Sequence, residues 1–253
     1  MYERFKLMGG LGDCLVVAAT LQKINAPLKF QTNELLNPIF AHHPTIHATQ
    51  EILNPVFQFG WVSQMRNKDV YSMHTMHRFG HQIGIYPDPT EVLKIYDAYG
   101  KQKIHQRDED TILINDLSAE HKRRYVPRDV LQLVKENFPE HRIEHIGRSQ
   151  WESCQDIPQM IEKLLRCSFF VGPISFCYHL ASCLRVPSLL CCGYMPEHKF
   201  SHFFNTETIS MHTSCSFTCE RDRGSCLEDC VIMQYDKDIV QAKIRIFRKR
   251  FQI

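Results

Sequence analysis

The chain has 253 residues, of which 43% are hydrophobic and 23% charged, and a formal net charge of +2. This is the balance of an ordinary globular protein, and its overall charge makes no case for a nucleic-acid or membrane partner. No run approaches the roughly 18 uninterrupted apolar residues of a membrane span, and Met1-Tyr2-Glu3-Arg4-Phe5-Lys6 lacks the apolar centre of a secretion signal, so a cytoplasmic location is expected.

In chain order, residues 5–8 read as a strand, 9–12 as a glycine turn and 13–24 as a helix with Leu15, Ala18, Ala19 and Leu21 on a buried face. Residues 27–31 form a second strand, 34–42 a short helix, and 45–47 begin a third strand. This β-α-β-α-β order argues for a parallel sheet with crossover helices. Residues 54–99 are less regular, and the polar run 100–110 (GKQKIHQRDED) reads as a linker. The alternation then restarts, with strands at 111–115, 142–146, 168–171 and 188–192. Helices follow at 128–138, 157–165, 175–184 and 238–247. The expected class is α/β, with two Rossmann-like domains at 1–105 and 106–253 whose parallel sheets face a central cleft.

Two segments carry the functional signal. The first is Met8-Gly9-Gly10-Leu11-Gly12-Asp13, a strand, tight turn and helix start. Gly9, Gly10 and Gly12 let the backbone turn sharply and approach another group closely. Asp13 falls in the first helical turn, where a carboxylate complements the helix dipole, so it either caps the helix or carries chemistry. The turn is not a full G-x-G-x-x-G fingerprint and no P-loop lysine follows. The second segment is Val171-Gly172-Pro173-Ile174-Ser175-Phe176-Cys177-Tyr178-His179-Leu180-Ala181. Ser175 can cap a helix beginning near Phe176, whose first N–H groups suit a diphosphate. His179, one turn further on, is either a core histidine or a ligand contact.

Together these segments resemble the heptosyltransferase-type glycosyltransferases of family nine, which have the two-domain GT-B fold. The matching residues are Leu11-Gly12-Asp13 before an apolar helix, the run from Val171 to Ala181, and then Val186-Pro187 and Cys192-Gly193. Ile174 stands where the family motif has an acidic residue, and Phe176 where it has a glycine. The resemblance implies transfer of a sugar from a nucleotide-diphosphate sugar to an acceptor hydroxyl, with inversion. Such a reaction needs a base for the acceptor proton and positive or dipolar groups for the leaving diphosphate. Asp13 matches the proposed base. Ser175, Phe176, Cys177 and His179, with the basic run Lys122-Arg123-Arg124, are the candidates for the diphosphate, and Arg124 is favoured within the run. No cofactor is required; the nucleotide-sugar is a substrate. The acceptor is expected to be a glycan or a lipid-linked sugar, with modified nucleic acid less favoured.

Eleven cysteines are many for a reducing compartment. Cys14, Cys154, Cys167, Cys177, Cys183, Cys191 and Cys192 lie in apolar runs and read as small buried hydrophobes. Cys215, Cys219, Cys226 and Cys230 cluster, with a structural zinc, unligated thiols or disulfides as the alternatives. His74, His77 and His81 would share one helix face and are assigned to acceptor contacts or a plain polar face. The basic, apolar-interleaved end 243–251 suits a helix packed on the domain, with peripheral membrane or nucleic-acid contact as the alternative. Two competing readings remain for the whole chain. One is a degenerate GT-B protein that binds sugar-nucleotide without turnover; the other is a zinc-stabilised nucleic-acid-binding protein.

Overall fold

The computed structural model describes residues 3–7, 10–41, 43–51, 56–59, 75–88, 108–115, 126–146, 156–192, 204–210 and 236–253. The first half holds β1 (Arg4–Lys6), α1 (Leu11–Leu21), β2 (Leu28–Gln31), α2 (Asn37–Phe40), β3 (Ile46–Thr49), β4 (Phe57–Gln58) and α3 (Thr75–His81). The second holds β5 (Asp108–Ile114), α4 (Arg128–Asn137), β6 (Arg142–His145), α5 (Ile157–Arg166), β7 (Cys167–Pro173), α6 (Phe176–Cys183), β8 (Ser188–Cys192), β9 (Thr206–Ser210) and α7 (Lys237–Phe251). The strands form two parallel sheets, in the orders β3-β2-β1-β4 and β6-β5-β7-β8-β9.

Both sheets reverse direction once. The first grows from β1 to β2 and β3, then returns to place β4 on the other side of β1. The second grows from β5 to β6, then returns to place β7 on the other side of β5. In open parallel sheets the crevice at such a reversal, beyond the carboxyl ends of the strands, is where ligands bind. The glycine turn lies beyond β1, and the Ser175 turn lies beyond β7.

Helix α1 is the centre of the molecule. Every residue from Cys14 to Leu21 is buried, so this helix has no solvent face. A helix apolar on all sides must be covered on all sides. The first sheet, α3 and α6 do so: the Thr20 hydroxyl donates to the Met76 carbonyl of α3 at 3.4 Å, and one core cluster runs from Phe30 through α1 into α5 and α6. Beyond α1 a 3-10 turn, Gln22–Ile24, ends at Asn25 in the left-handed conformation (φ 51°).

The second sheet is covered on both faces. Helices α5 and α6 pack on the face that looks toward α1, and α4 and α7 on the other, where Phe138, Phe169 and Phe247 meet. Helix α5 starts at Asp156, whose carboxylate accepts from the Gln159 N–H at 2.8 Å, and α7 starts at Asp236, which accepts from the Asp238 N–H at 2.8 Å. The basic end of α7 is partly used internally. Lys243 pairs with Glu207 of β9 at 2.7 Å, Arg248 donates to the Asn137 carbonyl at 3.0 Å, and Arg250 donates to the Thr206 carbonyl at 2.9 Å. Arg245 and Lys249 point outward beside the half-exposed Ile246.

His43 shapes the entry to β3. Its Nδ1 accepts from the Thr45 and Ile46 N–H groups at 3.3 and 3.0 Å, which requires a neutral ring. Burial, and secondarily the neighbouring His47, push its pKa down to about 4.

The structure corrects several boundaries. Asp108, Glu109 and Asp110, assigned from sequence to the linker, are the first residues of β5, paired beside β7. The expected helix at 34–42 divides into a 3-10 turn, Glu34–Leu36, and the single turn of α2, because Pro38 needs no N–H donor at a helix start. The expected domain boundary at 105/106 lies outside the described residues. Cys14, Cys167, Cys177, Cys183, Cys191 and Cys192 are buried, as the apolar runs around them imply, and Cys154 lies outside the described residues. Among the described residues, no helix is long and apolar enough to cross a membrane.

Candidate functional site

The two turns singled out in the sequence meet. A Cβ placed on Gly12 would lie 3.0 Å from Cδ2 of His179 and 3.6 Å from the backbone N and Cα of Phe176. Residue 12 is therefore glycine for a tertiary reason: the first turn of α1 rests directly on the first turn of α6. The start of α1 has no side-chain cap; Gly10 precedes it, and the Cys14 N–H bonds to the Gly10 carbonyl at 3.1 Å. Asp13 is half-buried in that first turn, next in sequence to the contact with His179.

The start of α6 is built differently. Strand β7 is buried along its whole length and delivers the chain to Ser175 through Gly172 and Pro173. A side chain at Gly172 would strike the Phe170 ring at 2.5 Å and approach the Asn115 carbonyl at 3.1 Å, so the strand narrows there to admit its neighbour. Ser175 caps α6, its Oγ accepting from the Tyr178 N–H at 3.3 Å, while its carbonyl accepts from the His179 N–H at 3.1 Å. Asn115, the residue just beyond β5, donates from Nδ2 to the same Oγ at 3.2 Å. The sequence reading passed over Asn115; the available signal was one amide closing the apolar strand Thr-Ile-Leu-Ile.

The remaining members of the Ser175 segment divide by burial. Ile174, at the position of the family's acid, is 4% exposed within the core shared with α1. The Cys177 side chain lies in that core too. Phe176 is only partly buried and packs at the core's edge, beside Gly12. His179 is buried against Tyr178, with ring centroids 5.3 Å apart, and Tyr178 in turn meets the Thr206 hydroxyl at 3.2 Å. Cys191, on the adjoining strand, is inert: burial pushes its thiol up to about 12.

His77 and His81 lie on α3 and face its following turn. The His77 Nε2 meets the Pro87 carbonyl at 2.6 Å, and the His81 Nδ1 meets the Tyr86 hydroxyl at 2.8 Å. His74, Gly9, Lys122, Arg123, Arg124 and the cysteines Cys215, Cys219, Cys226 and Cys230 lie outside the described residues. Among the described residues, no group of three His, Cys, Asp or Glu is placed to hold a metal ion. A surface cleft of about 260 Å³ between α5 and β6 includes none of the candidate residues, and Glu144 in it is paired with Arg142 and Lys163 at 3.2 and 3.7 Å.

No protein-family model matches the sequence, and no curated protein matches it. Solved structures do match over most of the chain. The iron-containing dodecameric glycosyltransferase TibC from enterotoxigenic E. coli is 13% identical, with a TM-score of 0.65 over 98% of this chain and 75% of that one. The fold is GT-B. A glycosyltransferase of family nine from Veillonella parvula superimposes with a TM-score of 0.68 at 10% identity, over 97% of this chain and 96% of that chain. The E. coli heptosyltransferase WaaC, solved with ADP-2-deoxy-2-fluoro heptose, has a TM-score of 0.57 at 11% identity, over 83% of this chain and 93% of that one. In this GT-B architecture α1 of the first half and α6 of the second are in direct contact.

Proposed function

We propose that the chain is a heptosyltransferase-like glycosyltransferase, moving a sugar from a nucleotide-diphosphate sugar to an acceptor hydroxyl with inversion. The observation that supports this reading is the seating of Gly12 against His179 and Phe176, which brings the first turn of α1, the turn that carries Asp13, onto the capped start of α6. Asp13 is the general base that takes the acceptor proton as the new bond forms. The start of α6 holds the leaving diphosphate: Ser175 and the first backbone N–H groups supply donors, and the helix dipole favours the anion. His179 supports that turn from behind. Lys122, Arg123 and Arg124, with Arg124 foremost, neutralise the departing phosphates. No resident metal is needed in this scheme.

The acceptor is a glycan or lipid-linked sugar on the side of the first sheet, where His77 and His81 belong to its binding surface. A second reading, a GT-B protein that binds sugar-nucleotide without turnover, is favoured by Ile174: an acid is replaced there by a side chain committed to the core. In both readings the chain binds a nucleotide diphosphate, and they part at turnover.

A thermal-shift screen of nucleotide diphosphates and nucleotide-sugars tests the proposal. A ligand held only by the folded chain at 100 times its Kd stabilises it by about 2.7 kcal/mol, and the shift should shrink in His179→Ala. Absence of any shift across the panel would refute both readings. A shift without sugar transfer to any acceptor would favour the binding protein.

A further inference from the structure

Ser175 has a hydrogen-bonding capacity that none of the described residues uses. A serine hydroxyl has two acceptor sites and one O–H donor. Both acceptor sites are filled, one by the Tyr178 N–H at 3.3 Å and the other by the Asn115 amide at 3.2 Å. The residue is only 8% exposed, and Asn115, on the neighbouring strand end, only 3%. Because Asn115 presents N–H, the hydroxyl cannot donate back to that group. Its proton is left to turn toward a third group. Ser175 lies just beyond β7 at the start of α6, at the reversal of the second sheet's strand order, where an acceptor of negative charge is favoured.

We infer that Asn115 is a positioning residue: its amide commits the Ser175 hydroxyl to donating a hydrogen bond to a phosphate oxygen of the donor nucleotide. The inference rests on the glycosyltransferase reading above. It explains why the end of β5 carries an amide and not a carboxylate. An aspartate there would take the serine proton for itself and add a negative charge beside the phosphates. It also divides the labour at this turn, with Ser175 touching the ligand and Asn115 acting through Ser175. Asn115 is itself anchored, its N–H donating to the Val171 carbonyl at 2.8 Å, so the amide is held in register with β7.

Calorimetric titration of the full chain with a panel of nucleoside diphosphates (ADP, GDP, UDP, CDP and TDP) tests this, followed by titration with the parent nucleoside of the best binder. Ser175→Ala and Asn115→Asp should each weaken diphosphate binding about 10- to 100-fold, the range of one hydrogen bond to a charged group. Asn115→Ala should weaken it less, since the freed hydroxyl still reaches the phosphate in some rotamers. The double variant Asn115→Ala with Ser175→Ala should bind no more weakly than Ser175→Ala alone, because one residue acts through the other. Nucleoside affinity should stay unchanged throughout, a result that general loosening of the fold would not give. Where Asn115→Asp fails to fold by circular dichroism, the cycle of the two alanine variants decides. Wild-type affinity in Asn115→Asp, or losses that add in the double variant, would overturn the role of Asn115 alone. Failure of the wild-type chain to bind any diphosphate would overturn the transferase reading and this inference with it.

Discussion

The starts of α1 and α6 touch, yet they are made in opposite ways. Helix α1 begins on glycines with no side-chain cap and carries Asp13 in its first turn. Helix α6 begins on Ser175, reinforced by Asn115, with no acidic residue in its first turn. Both ends have the positive pole of a helix dipole. At α1 that pole is already met by a carboxylate, so a second anion there would be repelled. At α6, among the described residues, it is met by the neutral Ser175 and Asn115. Under the proposed function the pair would separate two jobs: Asp13 to receive a proton, and the start of α6 to receive an anion.

The comparison predicts opposite kinetic signatures, and the largest is at Asp13. Asp13→Asn should lower transfer by about 10²- to 10⁴-fold, the range for loss of a general base, with nucleotide affinity nearly unchanged. Steady-state kinetics beside nucleotide titration checks this; a loss of affinity matching the loss of rate would assign Asp13 to binding or capping.

Acid pH offers the next contrast, provided stability is separated from chemistry. His43 has its pKa lowered in the fold from 6.5 to about 4, so the unfolded chain takes up a proton that the folded chain refuses. Stability from this group is complete above pH 6.5, declines as pH falls toward 4, and levels off below that. The total is about 3 kcal/mol at 1.36 kcal/mol per pH unit. His43→Asn, which can still accept from the Thr45 and Ile46 N–H groups, should flatten the decline in urea titrations between pH 4 and 7. Any acid loss of transfer that persists in this variant belongs to the site.

The contact itself is tested by Gly12→Ala. The new methyl group would press the His179 ring at 3.0 Å. Overpacking of this kind costs about 1–3 kcal/mol, offset by up to about 1 kcal/mol of helix propensity. A net loss near 1 kcal/mol in Tm-derived stability is expected, along with weaker nucleotide binding as α6 is displaced. Unchanged binding would show that the two helix starts act independently.

Much of this arrangement was legible in the sequence, and for identifiable reasons. Glycines before an apolar helix, and a serine just ahead of Phe176, announce turns through local chemistry, and both helices start there. The long buried strand β7 announces itself by its apolar run. Strand β9 was not legible, since Thr-Glu-Thr-Ile-Ser has one strong apolar residue and is held by the Glu207 pairing with α7. Nor was two-residue β4, which exists because Phe57 and Phe59 stack around Phe5. In α3, Gly80 is the penultimate residue, and it is glycine because the Ile85 carbonyl of the following turn would lie 1.7 Å from any Cβ there. The facing of Gly12 and His179, and the Asn115 bond, are tertiary facts between residues far apart in sequence. Residue type alone marks neither.

The burial of α1 on every side has a consequence for how the molecule comes apart. A helix held between the first sheet and α6 of the second half leaves no seam along which one half can melt while the other keeps its apolar surface covered. Loss of either half would expose the Cys14–Leu21 segment to water together with the faces of α5 and α6 that cover it. The chain should therefore denature as one cooperative unit, giving a single calorimetric peak whose van't Hoff and calorimetric enthalpies agree.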